Sequence, residues 1–218
     1  MSEPFRIGLL GHGTVGSAFE ELLEARTGAI EAEVGLRPEL SGVLTRSQGD
    51  FDDLLERSDL IVELMGGIEP ARTLILQALN SGADVITANK AVLANHGPEL
   101  FDAAEQVGAQ LYYEAAVGGA IPIIRPLRDS LAGDRVTRIL GIVNGTTNFI
   151  LDRMDTEGDS LEDALAEATR LGYAEADPTA DVEGFDAAQK AAILASLAFH
   201  TTVPLDAVHR EGMTTVTH

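Results

Sequence analysis

Apolar residues fall in short dense runs separated by longer amphipathic stretches, and this alternation predicts most of the elements. Phe5 to Leu10 has strand length and composition, glycines follow at once, and then Val15, Ala18, Phe19, Leu22 and Leu23 recur at helical spacing. Strand, tight turn and helix are expected, the helix running towards Glu33 and stopping near Gly35 and Pro38. Further strands are expected over Leu40–Thr45, Asp59–Leu64, Ala83–Thr87 and Gln110–Glu114, with helices over Ala71–Asn80 and Pro98–Val107. Strands alternating with helices of this length imply an α/β fold with a parallel sheet and right-handed crossovers.

The texture changes after about Ala115. Val117-Gly118-Gly119-Ala120 reads as a flexible link, followed by helices over Ile121–Leu131, Thr146–Met154, Leu161–Leu171 and Phe185–Phe199 and a strand over Val136–Val143. A Rossmann-type dinucleotide-binding domain is expected over 1–118 and a second, α+β domain over 119–218. The chain stops soon after Thr201-Thr202-Val203-Pro204 with no closing element, so the second domain is expected to be truncated.

Composition narrows the chemistry. With 45% hydrophobic residues in 218 the chain can fill a globular core, and its lack of Cys excludes disulfides and thiolate catalysis. The five histidines lack metal-ligand spacing, and no apolar run reaches the length of a membrane span. A cytoplasmic protein is expected. The formal charge of −20 leaves no basic face for nucleic acid, and it repels an anionic cofactor at long range. Any phosphate must therefore be held locally, by backbone amides and one or two cations within about 8–10 Å. Such acidity suits either a salt-adapted source or an ordinary acidic protein.

Gly11-x-Gly13-x-x-Gly16 follows the first strand and opens the first helix. This order lets the backbone turn tightly, gives a pyrophosphate room to approach, and presents the unpaired amides of Thr14, Val15 and Gly16 to it. The motif alone is weak, but the strand before it and the amphipathic helix after it point to a dinucleotide cofactor. At the end of the second strand, where an acid would accept from a ribose 2′-hydroxyl, stands Thr45-Arg46-Ser47. Arg46 suits a 2′-phosphate, hence NADP with NAD as the second choice; the alternative is a solvated surface arginine. Glu31 and Glu33 lie near the usual distance but fall on the helix.

Only two lysines occur, against thirteen arginines, and a lysine can bind an anion or pass a proton where arginine holds its own. Lys90 ends Thr87-Ala88-Asn89-Lys90 at the carboxyl edge of the fourth strand, where open α/β sheets bind ligands. Lys190 lies four residues after Asp186 and so on the same helical face, a spacing that alone more often marks a surface ion pair. Gly172 is expected to cap a helix and open Tyr173-Ala174-Glu175-Ala176-Asp177-Pro178.

These stretches, with Glu114 to Pro122, Asn144-Gly145-Thr146-Thr147-Asn148-Phe149-Ile150-Leu151 and Gly184-Phe185-Asp186, resemble the homoserine dehydrogenases in the family's order over almost the whole chain. The resemblance implies reversible NAD(P)-dependent hydride transfer between L-homoserine and L-aspartate 4-semialdehyde in threonine and methionine biosynthesis. It implies Lys190 as proton donor, Glu175 and Asp186 as substrate ligands, Lys90 at cofactor and substrate, and Gly172 near the nicotinamide. It also implies a sodium ion at the hinge, mapping to Glu114, Val117, Gly119 and Ile121, although a plain flexible hinge explains the same glycines. A homodimer built through the second domain, acting on an amino-acid substrate with no nucleic-acid or membrane partner, completes the expectation. The competing reading is a non-catalytic NADP-binding module or an inactive fragment.

Overall fold

The structure is a computed structural model that describes residues 4–217. It divides into two compact units, Met1–Ile121 and Pro122–His218, each described by itself.

The first unit is built on strands β1 (Pro4–Leu10), β2 (Arg37–Leu44), β3 (Leu60–Glu63), β4 (Asp84–Thr87) and β5 (Leu111–Tyr112). All pair in parallel in the order β2-β1-β3-β4-β5, so the crossover direction reverses beside β1. The connections are α1 (Thr14–Val34), α2 (Phe51–Glu56), α3 (Ala71–Asn80) and α4 (Lys90–Val107). Side-chain alternation along β1 shows why both faces are covered. Ile7 and Leu9 cluster with Phe19 and Leu23 of α1, while a Cβ on Gly8 would lie 2.6 Å from Ser58 Oγ and 3.1 Å from Leu54 Cγ behind the other face. Gly8 thus makes the room that α2 needs.

Three differences from expectation have local causes. α2 is absent from the sequence reading because six residues are too few for a helical period; its mark is the Asp50 cap, whose Oδ1 accepts from the Asp53 amide at 3.0 Å. α4 begins at Lys90 and not at Pro98, because the Asn89 side chain caps it by accepting from the Val92 amide at 3.2 Å, and the helix runs on through Pro98. β2 begins at Arg37 and includes Pro38, which an edge strand tolerates because the missing N–H interrupts no second ladder.

The second unit holds α5 (Gly145–Thr156), α6 (Leu161–Arg170), α7 (Thr179–Val182) and α8 (Phe185–Ala198). Ile150 and Met154 of α5 pack on Ala164 and Ala168 of α6, with Val182 and Met213 closing the cluster. Alanines on α6 let the helices approach. The α6 terminus is a Schellman turn: Gly172 has φ 80°, its amide donates to Thr169 O at 3.1 Å, and the Tyr173 amide donates to Ala168 O at 2.8 Å. The expected helix over Ile121–Leu131 is shorter, a π-helical segment Pro126–Ser130 that packs against α8.

The strand expected over Val136–Val143 does not form. No strand is present among the described residues of this unit, and Leu140 and Ile142 are 75% and 78% exposed. An alternating pattern supplies strand propensity but not the partner whose N–H and C=O groups complete a ladder. Among the described residues, no helix is long and apolar enough to cross a membrane.

Candidate functional site

In the first unit the glycine turn leaves β1 at Gly11, whose φ of 94° belongs to glycine and whose added Cβ would lie 2.8 Å from the Leu64 carbonyl. Its amide donates to Leu44 O at 2.8 Å, which fastens the turn to the end of β2. A Cβ on Gly16 would overlap the Gly11 carbonyl oxygen, so the first turn of α1 sits directly against the loop. Gly13 is the N-terminal cap of α1 and faces open space. The first intrahelical bond is Ser17 N to Gly13 O at 2.9 Å, so the amides of Thr14, Val15 and Gly16 precede the ladder. No acid occupies the first turn. An uncrowded, positively polarised helix start beneath a tight glycine turn fits a pyrophosphate.

Beside this turn lies a buried carboxylate that the sequence reading passed over. Glu63 ends β3 with no exposed surface. Its Oε1 accepts from the amides of Met65 at 2.8 Å and Gly66 at 3.3 Å, and from Asn89 Nδ2 at 3.4 Å; Oε2 accepts from Thr87 Oγ1 at 2.6 Å. Asn89 Nδ2 also donates to Gly67 O at 2.7 Å, and Thr87 Oγ1 accepts from the Asn89 amide at 2.9 Å. One side chain therefore ties the Gly66-Gly67 loop to the Thr87–Lys90 corner, both at the carboxyl edge of the sheet. The visible signal was a charged residue closing the apolar run Leu60-Ile61-Val62.

Lys90 is half-buried at the start of α4, directly after this corner. Arg46 is exposed in the loop after β2, and among the described residues its guanidinium makes no ion pair. Glu31 and Glu33 lie within α1. After β5, Glu114 opens a 3-10 turn through Ala116, Val117 is buried, and Gly118 and Gly119 have φ of 80° and 57°. Ile121 is exposed and its amide donates to Gly118 O at 3.0 Å.

The second unit gathers a polar cluster around α8. Lys190 Nζ donates to Asp186 Oδ2 and to Val143 O, both at 2.7 Å. Asn144 Nδ2 donates to Asp186 Oδ2 at 2.8 Å and to Asp181 Oδ1 at 2.6 Å, while Asn144 Oδ1 caps α5 through the Thr147 amide at 2.8 Å. Asp186 is 6% exposed. The Asp186–Lys190 pair is thus an inward-facing one that reaches loop and cap, unlike the solvated i,i+4 pair Asp53–Arg57. An ammonium has three hydrogens; two of those on Lys190 are engaged, which leaves one for a ligand oxygen. Asn144 and Asp181 were not singled out as site residues.

Gly172 and Glu175 lie on the loop after α6. Thr146 Oγ1 donates to Tyr173 O at 2.7 Å, and the Tyr173 ring packs on Phe149 at 4.9 Å between centroids, so the loop is pinned to α5. Asp177 accepts from the Thr179 hydroxyl at 2.6 Å, which holds its carboxyl below the usual range. Glu175 is exposed, and among the described residues its carboxylate has no hydrogen-bond partner.

A reversed parallel sheet with a glycine turn under its first helix defines a dinucleotide-binding α/β protein, here joined to a helical unit with a part-buried amine paired to a buried carboxylate. Residues 11–114 match the family model of the homoserine dehydrogenase NAD-binding domain, and residues 122–218 match that of homoserine dehydrogenase. A curated homoserine dehydrogenase of Mycobacterium tuberculosis is 52% identical over 229 residues, covering 99% of this chain and 52% of the relative. The crystal structure of a homoserine dehydrogenase from Thiobacillus denitrificans superposes with a TM-score of 0.94 at 40% identity, covering 99% of this chain and 54% of that one. A hyperthermophilic archaeal homoserine dehydrogenase mutant in complex with NADPH superposes with a TM-score of 0.84 at 29% identity, covering 98% and 75%. The chain belongs to the homoserine dehydrogenase family. It spans about half the length of the curated relatives it matches.

Proposed function

We propose that this chain interconverts L-homoserine and L-aspartate 4-semialdehyde with NADP. The observation that carries the reading is the state of Lys190: a nearly buried amine, oriented by Asp186 and Val143 O, with one hydrogen left to donate. The nicotinamide, when bound, supplies or accepts the hydride. The chain's own residues do the rest. In the reducing direction Lys190 passes a proton to the aldehyde oxygen as the carbonyl carbon takes the hydride, and the product is the alcohol. In the other direction the amine takes the hydroxyl proton. Asp186 and Glu175 are the substrate ligands; a carboxylate suits the substrate ammonium. Lys90 serves cofactor and substrate from the corner that Glu63 fixes.

The Gly11–Gly16 turn would hold the pyrophosphate, and Arg46 would supply a cation for a 2′-phosphate, which favours NADP over NAD. The family relative solved with NADPH supports that preference. By the family resemblance, Gly172 would serve the nicotinamide end of the cofactor. The hinge offers the Glu114 carboxylate and the backbone carbonyls of Val117, Gly119 and Ile121, hard oxygen donors that suit a sodium ion. The same reading takes a domain division near residue 118, a homodimer and a cytoplasmic setting.

The test follows nicotinamide absorbance with L-homoserine and NADP for this chain and for Lys190→Ala. Turnover that falls about 10²–10⁴-fold in the variant supports the assignment. Cofactor binding without turnover by the unmodified chain favours the non-catalytic module.

A further inference from the structure

Asn144 is used in two directions at once. Its Oδ1 accepts from the Thr147 amide at 2.8 Å and the Thr147 hydroxyl at 2.9 Å, the ordinary work of a helix cap. Its Nδ2 donates to carboxylates on two different helices, Asp181 Oδ1 of α7 at 2.6 Å and Asp186 Oδ2 of α8 at 2.8 Å. The same Asp186 oxygen takes Lys190 Nζ at 2.7 Å, and the amine's second acceptor is Val143 O, on the residue directly before Asn144. Two carboxylates meeting at one point repel each other, and a planar amide answers both with its two hydrogens. Asn144 is 9% exposed, so solvent cannot easily replace it.

A helix cap alone does not require this side chain. Asp and Ser cap as well as Asn, but neither offers a pair of N–H donors. We propose that Asn144 is a positioning residue, whose amide clamps Asp181 and Asp186 and thereby fixes the Lys190 ammonium with its remaining hydrogen towards substrate. This rests on the dehydrogenase reading of the same cluster.

Cap and clamp are separable by substitution in the full chain. Asn144→Ser keeps a cap and adds no charge but leaves two carboxylates without their shared donor; its helical content should stay near that of the unmodified protein while its urea midpoint falls and kcat falls about tenfold or more. Asn144→Asp keeps the shape but sets a third acid against Asp181 and Asp186; kcat should fall about 10²-fold or more with the KM for NADP within twofold. A second readout does not depend on turnover. Protein labelled with ¹⁵N-lysine gives side-chain signals from only Lys90 and Lys190, assigned with Lys90→Arg. In Asn144→Ser the Lys190 ammonium resonance should shift and broaden, because the carboxylate that orients the amine is no longer held by the amide. An unchanged Lys190 resonance in that variant, or kcat within twofold of the unmodified protein, leaves Asn144 a helix cap only and overturns the proposal. If the unmodified chain does not turn over L-homoserine, the dehydrogenase reading fails; the Lys190 resonance in Asn144→Ser then decides the clamp alone, a change upholding it and its absence overturning it.

Discussion

Replacing Glu63 tests whether the carboxyl edge of the sheet depends on one buried acceptor. In Glu63→Gln one of two acceptor oxygens becomes an NH₂ group. If the amide oxygen stays with the Met65 and Gly66 amides, the new N–H₂ meets Thr87 Oγ1, whose own hydrogen then has no acceptor, since Glu63 Oε2 was its partner at 2.6 Å. Thr87 and Glu63 both have no exposed surface, so water cannot substitute. One orphaned buried hydroxyl costs about 1–3 kcal/mol. Glu63→Ala removes both oxygens and strands the Met65 amide as well, for a total of about 3–5 kcal/mol. Urea unfolding at neutral pH measures both losses, and amide exchange at Met65 and Gly66 shows whether the damage is local. The reasoning fails if Glu63→Ala loses less than about 1 kcal/mol, or if those two amides keep their protection.

Three further outcomes follow from particular contacts. Gly16→Ala places a methyl against the Gly11 carbonyl oxygen and should abolish NADPH binding by calorimetry while the second unit keeps its helical fold; unchanged affinity refutes the close-approach role of the turn. Arg46→Ala should raise the KM for NADPH far more than for NADH in parallel steady-state assays, and equal effects remove the 2′-phosphate assignment. Asp59 accepts from Arg6 Nε at 3.1 Å, Nη2 at 2.7 Å and the Arg6 amide at 2.8 Å, and these hydrogen bonds hold its carboxyl below the usual range. The folded state therefore favours the ionised form, and the stabilisation is present above the unfolded value near 3.9 and lost as pH falls through and below it. The pair is partly exposed, so Asp59→Asn should cost only about 1 kcal/mol at pH 7, and the gap to the unmodified protein should narrow in urea titrations as pH falls below the unfolded value.

Much of the first unit was legible because its signals are local. The run Phe5–Leu10, the Gly11-x-Gly13-x-x-Gly16 turn and the helix start after it lie within a dozen neighbouring positions, and the helix Ala71–Asn80 has the bounds its periodicity implies. The boundaries that slipped are those set by a side chain reaching back to the backbone, as Asn89 does for α4, or by an edge position, as for Pro38 in β2. Val136–Val143 misled because alternation states a preference for strand without supplying a neighbour. In the candidate site, the spacing of Asp186 and Lys190 placed them on one helical face, and the scarcity of lysine drew attention to it. Glu175, which the resemblance adds to the substrate ligands, lies exposed on the loop after α6.

What the chain order alone determined is the class of fold and the order of its motifs, because hydrophobic period, turn residues and glycine placement act over a few residues. What only the tertiary structure decided is which polar side chains share a proton-bearing cluster. Asn144 meets Asp181 and Asp186 across separations of 37 and 42 positions, and Glu63 meets Thr87 and Asn89 across 24 and 26. Helix packing and strand register bring those atoms within hydrogen-bonding distance, and burial then makes each bond costly to lose.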